Sequence, residues 1–239
     1  MISAIKSFRF KIIDLTQEVY TGMPVFPAHI KTVVFDYETH EDTKLLGFKN
    51  TFQAEGILIS SHGGTHVDAL NEYAKRKEDK PGITEIPLEW CFGPGICLDV
   101  SHVKPLEWIT PEDLEKALEK SGLEIPKGGT VLLYTGHYDR TYGTIEYLTT
   151  YPGLNAEASH WLADRGVKNV GVDTPSIDKA DDYECVAHMV FMERGMLNTE
   201  NLCNLDKVVN KEFIYCGLPL KLRGCTGSPI RAVAILIEE

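Results

Sequence analysis

Short runs of β-branched and aromatic residues recur along the chain and are interrupted by well-punctuated helices. That alternation limits the fold more than any other feature. The runs are Phe8 to Asp14, Lys31 to Tyr37, Phe52 to Ser61, Gly95 to Val100, Thr130 to Thr135, Val167 to Val172, Glu212 to Cys216 and Ile230 to Ile237. Such side chains suit a pleated, half-buried surface, and turn residues bound most of the runs. Thr110-Pro111-Glu112-Asp113 supplies an N-cap, a proline at the first helical position and acids in the first turn, and Gly122 closes that helix. Asn155 caps a second helix over Ala156 to Arg165, with Gly166 behind it. A third is expected over Tyr183 to Met192. Strands and helices mixed in this way favour an α/β or α+β architecture over either pure class. No linker-like segment, repeat or low-complexity tract divides the 239 residues, so one domain, 1–239, is expected.

The formal charge of −11 argues against nucleic acid or an anionic membrane as the main partner, because both attract basic surfaces. No run approaches the roughly 20 apolar residues of a membrane span. The opening MISAIKSFRFKIIDL has no uninterrupted apolar core and no small-residue cleavage site, so it is not expected to be a leader. Six cysteines, with no CxxC pair, lie scattered through apolar segments. That pattern fits reduced, buried thiols and a cytoplasmic location.

Chemistry concentrates in SSHGGTHVDALNEYA, residues 60–74. On a helix His62 and His66 would share a face at i and i+4. On a strand His62, Gly64, His66 and Asp68 have one parity and point to one side. Gly63-Gly64 disfavours the helix, and the stretch reads as a strand running into a glycine-lined turn. A turn in which the histidines bond to backbone, or a hydrogen-bonded His–Asp pair, would leave the cluster structural. Two imidazoles and a carboxylate converging on one point are, however, ligands that a divalent ion such as zinc or manganese accepts, and metal is the preferred reading. His188, in the apolar run CVAHMVFM, reads locally as a core residue, and Glu200 in NTENL as a surface acid. His137 follows a strand and is a further candidate to face the site; His160 is expected on a helix surface.

Several ordered blocks carry a family resemblance. HGGTHVD is similar to the opening of the HxGTHxDxPxH signature of the metal-dependent cyclase family, which includes bacterial kynurenine formamidase and isatin hydrolase. IIDLTQEVYTGMPVFP, GPGICLDVS, GGTVLLYTG, YPGLNAEASHWLADRGVKNVGVDTPSID and GCTGSPIRAVAIL resemble further family segments in order. The resemblance implies a mixed α/β fold, the family's swivelling β/β/α domain, with helices packed on a mixed sheet. It also implies a homo-oligomer, dimer or tetramer. The family has a second His and Glu separated by eleven residues, the Glu before Asn-Leu; His188 and Glu200-Asn201-Leu202 reproduce that context. The implied ligands are therefore His62, His66, Asp68, His188 and Glu200, enough for one or two divalent ions (Zn2+ or Mn2+). After Asp68 the signature calls for x-Pro-x-His, but this chain has Ala69, Leu70, Asn71 and Glu72. Glu72 stands where the family has its proton-transfer histidine.

The expected function is hydrolysis of the C–N bond of a small amide (formamide, lactam or imide), arylformamidase-like, with Glu72 as the general base that carries the proton toward the leaving nitrogen. Two rivals use the same residues: a metal-dependent lyase, dehydratase or cyclase acting on a small carbonyl compound, and a metal-binding protein without catalysis.

Overall fold

The structure is a computed structural model and describes residues 9–238. Among the described residues the strands are β1 (Arg9–Asp14), β2 (Val33–Glu38), β3 (Ala54–Leu58), β4 (His66–Asp68), β5 (Phe92–Asp99), β6 (Trp108–Ile109), β7 (Thr130–Tyr134), β8 (Gly153–Leu154), β9 (Asn169–Val172), β10 (Leu197–Glu200), β11 (Glu212–Cys216), β12 (Gly227–Pro229) and β13 (Val233–Glu238). Nine of them form one sheet in the order β1-β13-β11-β5-β7-β9-β10-β4-β12. β5, β7, β9 and β10 run parallel in the middle, with antiparallel strands on both flanks. The mixed α/β expectation holds. Phe8 lies outside the described residues.

Residue alternation in the central strands explains the layering. Ile96 and Leu98 of β5, Val131 and Leu133 of β7, and Val170 and Val172 of β9 point to one face. There they meet Leu114 and Ala117 of the helix Pro111–Ser121, Ala158, Trp161 and Leu162 of Ala156–Asp164, and Ala187 and Phe191 of Val186–Arg194. Cys97, Leu132 and Leu197 point the other way, into a second apolar layer with Leu15, Val67, Phe213 and Tyr215. A parallel sheet buried on both faces needs apolar residues at both parities, which these strands supply. The first two long helices start and stop as their caps dictate. Thr110 and Asp113 form a reciprocal capping box, and Gly122 closes that helix in the left-handed conformation at φ 67°. The third begins later than expected, at Val186 rather than Tyr183, and extends to Arg194. Cys185 is left-handed at φ 53°, and the N–H groups of Val186 and Ala187 donate to the carboxylates of Asp182 and Asp178, which together set the start. Among the described residues β2 and β3 pair only with each other, as an arm that carries the short helix His40–Leu45 between them.

Candidate metal centre

The centre is built on the three short strands β10, β4 and β12. Antiparallel pairing sets Asp68 opposite Asn198 and His66 opposite Glu200, so two residues from each strand project from one face of the sheet. Gly227 of β12 lies opposite Asp68. A Cβ at Gly227 would sit 2.7 Å from His62 Cε1, so glycine is what admits that ring. The parity reading of His62 needs correction. Only 66–68 are strand; His62 arrives from the preceding turn, where Gly63 N–H donates to Ser60 O and Gly64 takes a left-handed φ of 62°. The glycines end the extended run and curl His62 back over Asp68. His188 comes from the first turn of the helix Val186–Arg194, and Glu72 from the turn after β4.

All five expected ligands meet here. His62 Nδ1 is 2.5 Å from Asp68 Oδ1, and His66 Nε2 is 3.3 Å from that same oxygen and 3.4 Å from Glu200 Oε2. His188 Nε2 is 3.3 Å from Glu200 Oε1 and 3.8 Å from Asp68 Oδ2. The side chains fall into two triads that share one carboxylate: His62, His66 and Asp68, and Asp68, His188 and Glu200. Glu72 completes the ring, with Oε1 3.5 Å from His62 Nδ1 and Oε2 3.9 Å from His188 Nε2.

The donor chemistry fits a cation. His66 Nδ1–H donates to Gly64 O at 2.8 Å, and His188 Nδ1–H donates to Asp178. Each bond fixes a tautomer and leaves the Nε2 lone pair aimed at carboxylate oxygens, an arrangement that needs either a proton or a metal between them. Without a metal, protons take that place. Burial alone would lower the His66 pKa, but the charge and hydrogen bond of Asp68, with Glu200 and Gly64, outweigh it and push it up to about 9. Burial likewise opposes a charge on His188, yet Asp178 chiefly drives its pKa upward. Burial disfavours the Asp68 carboxylate too, but the charges of His66 and His62 hold it well below the usual range. Burial and the charge of Asp68 push Glu72 up to about 8, against the pull of His188 and His62.

Several further side chains complete the cluster. Asn198 Nδ2 donates to Asp68 Oδ2 at 2.7 Å and to Glu200 Oε1 at 2.9 Å, holding the two carboxylates apart. Asp178 bonds both Ala187 N–H and His188. Thr226 Oγ1 lies 2.8 Å from His62 Nε2. Asn198 stands two residues before Glu200, a strand spacing that could have flagged it; Asp178 and Thr226 carry no local signal. Tyr73, whose ring lies 4.4 Å from that of His188, lines the cavity with Phe26 and His29. His137 faces elsewhere: it is buried, with Nε2 3.0 Å from Tyr147 O and its ring stacked on Tyr147.

A buried ring of imidazoles and carboxylates on a mixed α/β sheet defines a protein able to hold a metal over a small cavity. A family model described as putative cyclase matches residues 13–179, and the chain belongs to that family. It is 30% identical over 221 residues to a kynurenine formamidase of Bacillus mycoides (strain KBAB4), covering 92% of this chain and 95% of that one. A kynurenine formamidase of Bordetella petrii is 33% identical over 220 residues, covering 92% and 95%. Among solved structures, isatin hydrolase A from Labrenzia aggregata, bound to benzyl benzoate, superposes with a TM-score of 0.83 at 26% identity, covering 96% of this chain and 94% of that one.

Proposed function

We propose that this protein is a metal-dependent hydrolase that cleaves the C–N bond of a small amide, arylformamidase-like, with His62, His66, Asp68, His188 and Glu200 as metal ligands and Glu72 as the proton carrier. The relatives' names, kynurenine formamidase and isatin hydrolase, support the reaction class. The observation that carries the reading is Glu72 itself: Oε2 is buried with no hydrogen-bond partner among the described residues, at the edge of the ligand ring. An unsatisfied buried oxygen is costly, and beside such a cluster it is placed to meet a substrate or water.

A bound divalent ion, Zn2+ or Mn2+, would polarise the amide carbonyl and bring the pKa of water from 15.7 toward about 7. Glu72 takes the proton from the attacking water, whose oxygen bonds to the carbonyl carbon. As the C–N bond breaks, Glu72 delivers that proton to the departing nitrogen. In the metal-free cluster, burial and the charge of Asp68 raise the Glu72 carboxyl above an ordinary glutamate, the direction that makes a carboxyl a better proton donor. Asn198 and Asp178 hold the carboxylates and His188 in place throughout.

Three further features belong to the proposal. The arm β2–β3 exposes Phe35, Tyr37, Leu45, Leu46, Phe48 and Ile57, a cluster of apolar side chains of the kind that interfaces cover, which supports a homo-oligomer. All six cysteines are free, as a cytoplasmic location would have it, and no helix among the described residues is long and apolar enough to cross a membrane. Strands from both ends of the described chain, β1 and β13, pair in the main sheet, which supports one domain over 1–239. The test is elemental analysis of the purified protein, then a screen of formamides, lactams and imides with the ion found. Release of amine with formate or carboxylate is expected. Loss of water without hydrolysis would instead assign a lyase or dehydratase, and tight metal binding with no turnover a non-catalytic protein.

A further inference from the structure

The two ligand triads are held by different stretches of chain. On one side of the centre His66 is fixed by the carbonyl of Gly64, and His62 bonds to Thr226. On the other side a single loop, residues 176–178, serves both remaining ligands. Ile177 N–H donates to Glu200 Oε1 at 2.9 Å, and Asp178 accepts from His188 Nδ1–H and from Ala187 N–H. That loop is itself seated on β8. Leu154 N–H donates to Ile177 O at 3.0 Å, Ala180 N–H donates to Tyr151 O at 3.2 Å, and Leu154 and Ile177 are both buried in the apolar layer beneath the helices. Gly153 stands between these two bonds in the chain. A Cβ there would lie 2.1 Å from Asp178 C and from Lys179 N, backbone atoms that no side-chain rotation can clear. The φ of Gly153 lies outside the left-handed region, so its own backbone would accept alanine. Close contact with the 178–179 peptide is what requires glycine here.

Resting on the ligand assignment above, we propose that Gly153 is a positioning residue for the metal centre, and for one half of it alone. By letting β8 and the 178–179 peptide touch, it holds Asp178 and Ile177 where they orient His188 and Glu200. Asp178 fixes the His188 tautomer and Ile177 N–H fixes one oxygen of Glu200, so a shift of this peptide reaches both ligands at once. Relieving a 2.1 Å approach moves the peptide by about 1 Å, the scale at which a preorganised site fails. Among the described residues neither His62 nor His66 bonds to that loop, and their triad is insulated from the movement.

The test pairs Gly153→Ala with Gly129→Ala. Gly129 is as crowded, since a Cβ would lie 2.3 Å from Pro94 O, but it precedes β7 at the other end of the central strands and reports plain destabilisation. In the metal-free protein, nitrogen-15 NMR of the imidazoles should show the His188 Nδ1–H of Gly153→Ala exchanging about tenfold faster than in the wild type, the scale of one weakened hydrogen bond, with that of His66 unchanged. Gly129→Ala should move both protons together or neither. Titration with Zn2+ against a competing chelator should find one ion weakened about 10–100-fold in Gly153→Ala and the other within about threefold; if the wild type takes a single ion, that ion should weaken by the larger factor. Thr174→Val removes the 2.6 Å bond from Thr174 Oγ1 to Ser176 O without introducing a clash. It should give a smaller loss with the same selectivity, and it decides the matter if Gly153→Ala does not fold. Equal acceleration of both imidazole protons, no change in either, or the same selective pattern in Gly129→Ala would overturn the role of Gly153 and leave the ligand assignment standing. A wild type that binds no ion would remove the ligand assignment, and proton exchange at His188 would then decide the role of Gly153 by itself.

Discussion

Glu72 and its neighbours divide the labour of the site between charge and geometry, and single substitutions can separate the two. Glu72→Gln keeps the side chain's size and removes its proton acceptor. The expected outcome is an unchanged metal content and a kcat lowered about 10²–10⁴-fold with KM little altered, read by steady-state kinetics on a substrate from the screen. Unchanged turnover would leave Glu72 an ordinary loop carboxylate. His66→Ala and Asp68→Ala should lose metal while keeping their circular dichroism, and Asp68, shared by both triads, should lose most. Asp178→Asn tests the orientation of His188: the imidazole keeps its position but loses its charged partner, and metal affinity should fall about 10–100-fold in a competition titration. Legibility in the sequence follows the same divide. His62, His66 and Asp68 were readable because their spacing is local. His188 and Glu200 came only with the family resemblance, since a histidine in an apolar helix looks like core. Asp178 and Thr226 were invisible, because their value lies in the tertiary fold bringing them to a ring nitrogen.

At the level of elements, boundaries set by local chemistry were readable and boundaries set by pairing were not. The capping box at Thr110 and the cap at Asn155 placed two helices almost to the residue. The helix bearing His188 begins three residues late, because carboxylates from the preceding loop cap it and Cys185 turns left-handed. β4, β10 and β12, three or four residues each, carry the site yet have too little sequence to show a period; only their mutual pairing makes them strands. The β2–β3 arm shows the opposite case. Its strands fall within runs rich in β-branched and aromatic residues, but both its faces carry exposed apolar side chains, which a hairpin cannot bury by itself. Light scattering should therefore find a dimer or larger. Tyr37→Lys with Ile57→Lys should shift it toward monomer without changing metal stoichiometry, whereas a clean wild-type monomer at working concentration would discard the oligomer proposal.

For the molecule as a whole, the metal centre couples stability to pH in a direction that can be worked out. In the metal-free protein the His66 pKa rises from 6.5 to about 9 on folding, so its stabilisation is complete below pH 6.5 and is lost as pH climbs through 9. Glu72 rises from 4.5 to about 8, so the folded state keeps a proton that the unfolded chain releases; that too favours the folded state less as pH rises from 4.5 to 8. Both groups give the folded protein more bound protons than the unfolded one, so their contribution to stability falls with rising pH. His29 and His137, whose pKa values burial lowers, act the other way only at the acid end of the window. A bound ion reverses the trend, because it takes the place of those protons and binds more tightly as they leave. Melting curves from pH 5.5 to 9 should thus show a Tm that declines in chelator and a gap between metal-loaded and metal-free protein that widens with pH. A gap that stays constant would mean that no proton leaves the buried imidazoles and carboxylates when the ion enters, and the ligand assignment would fall with it.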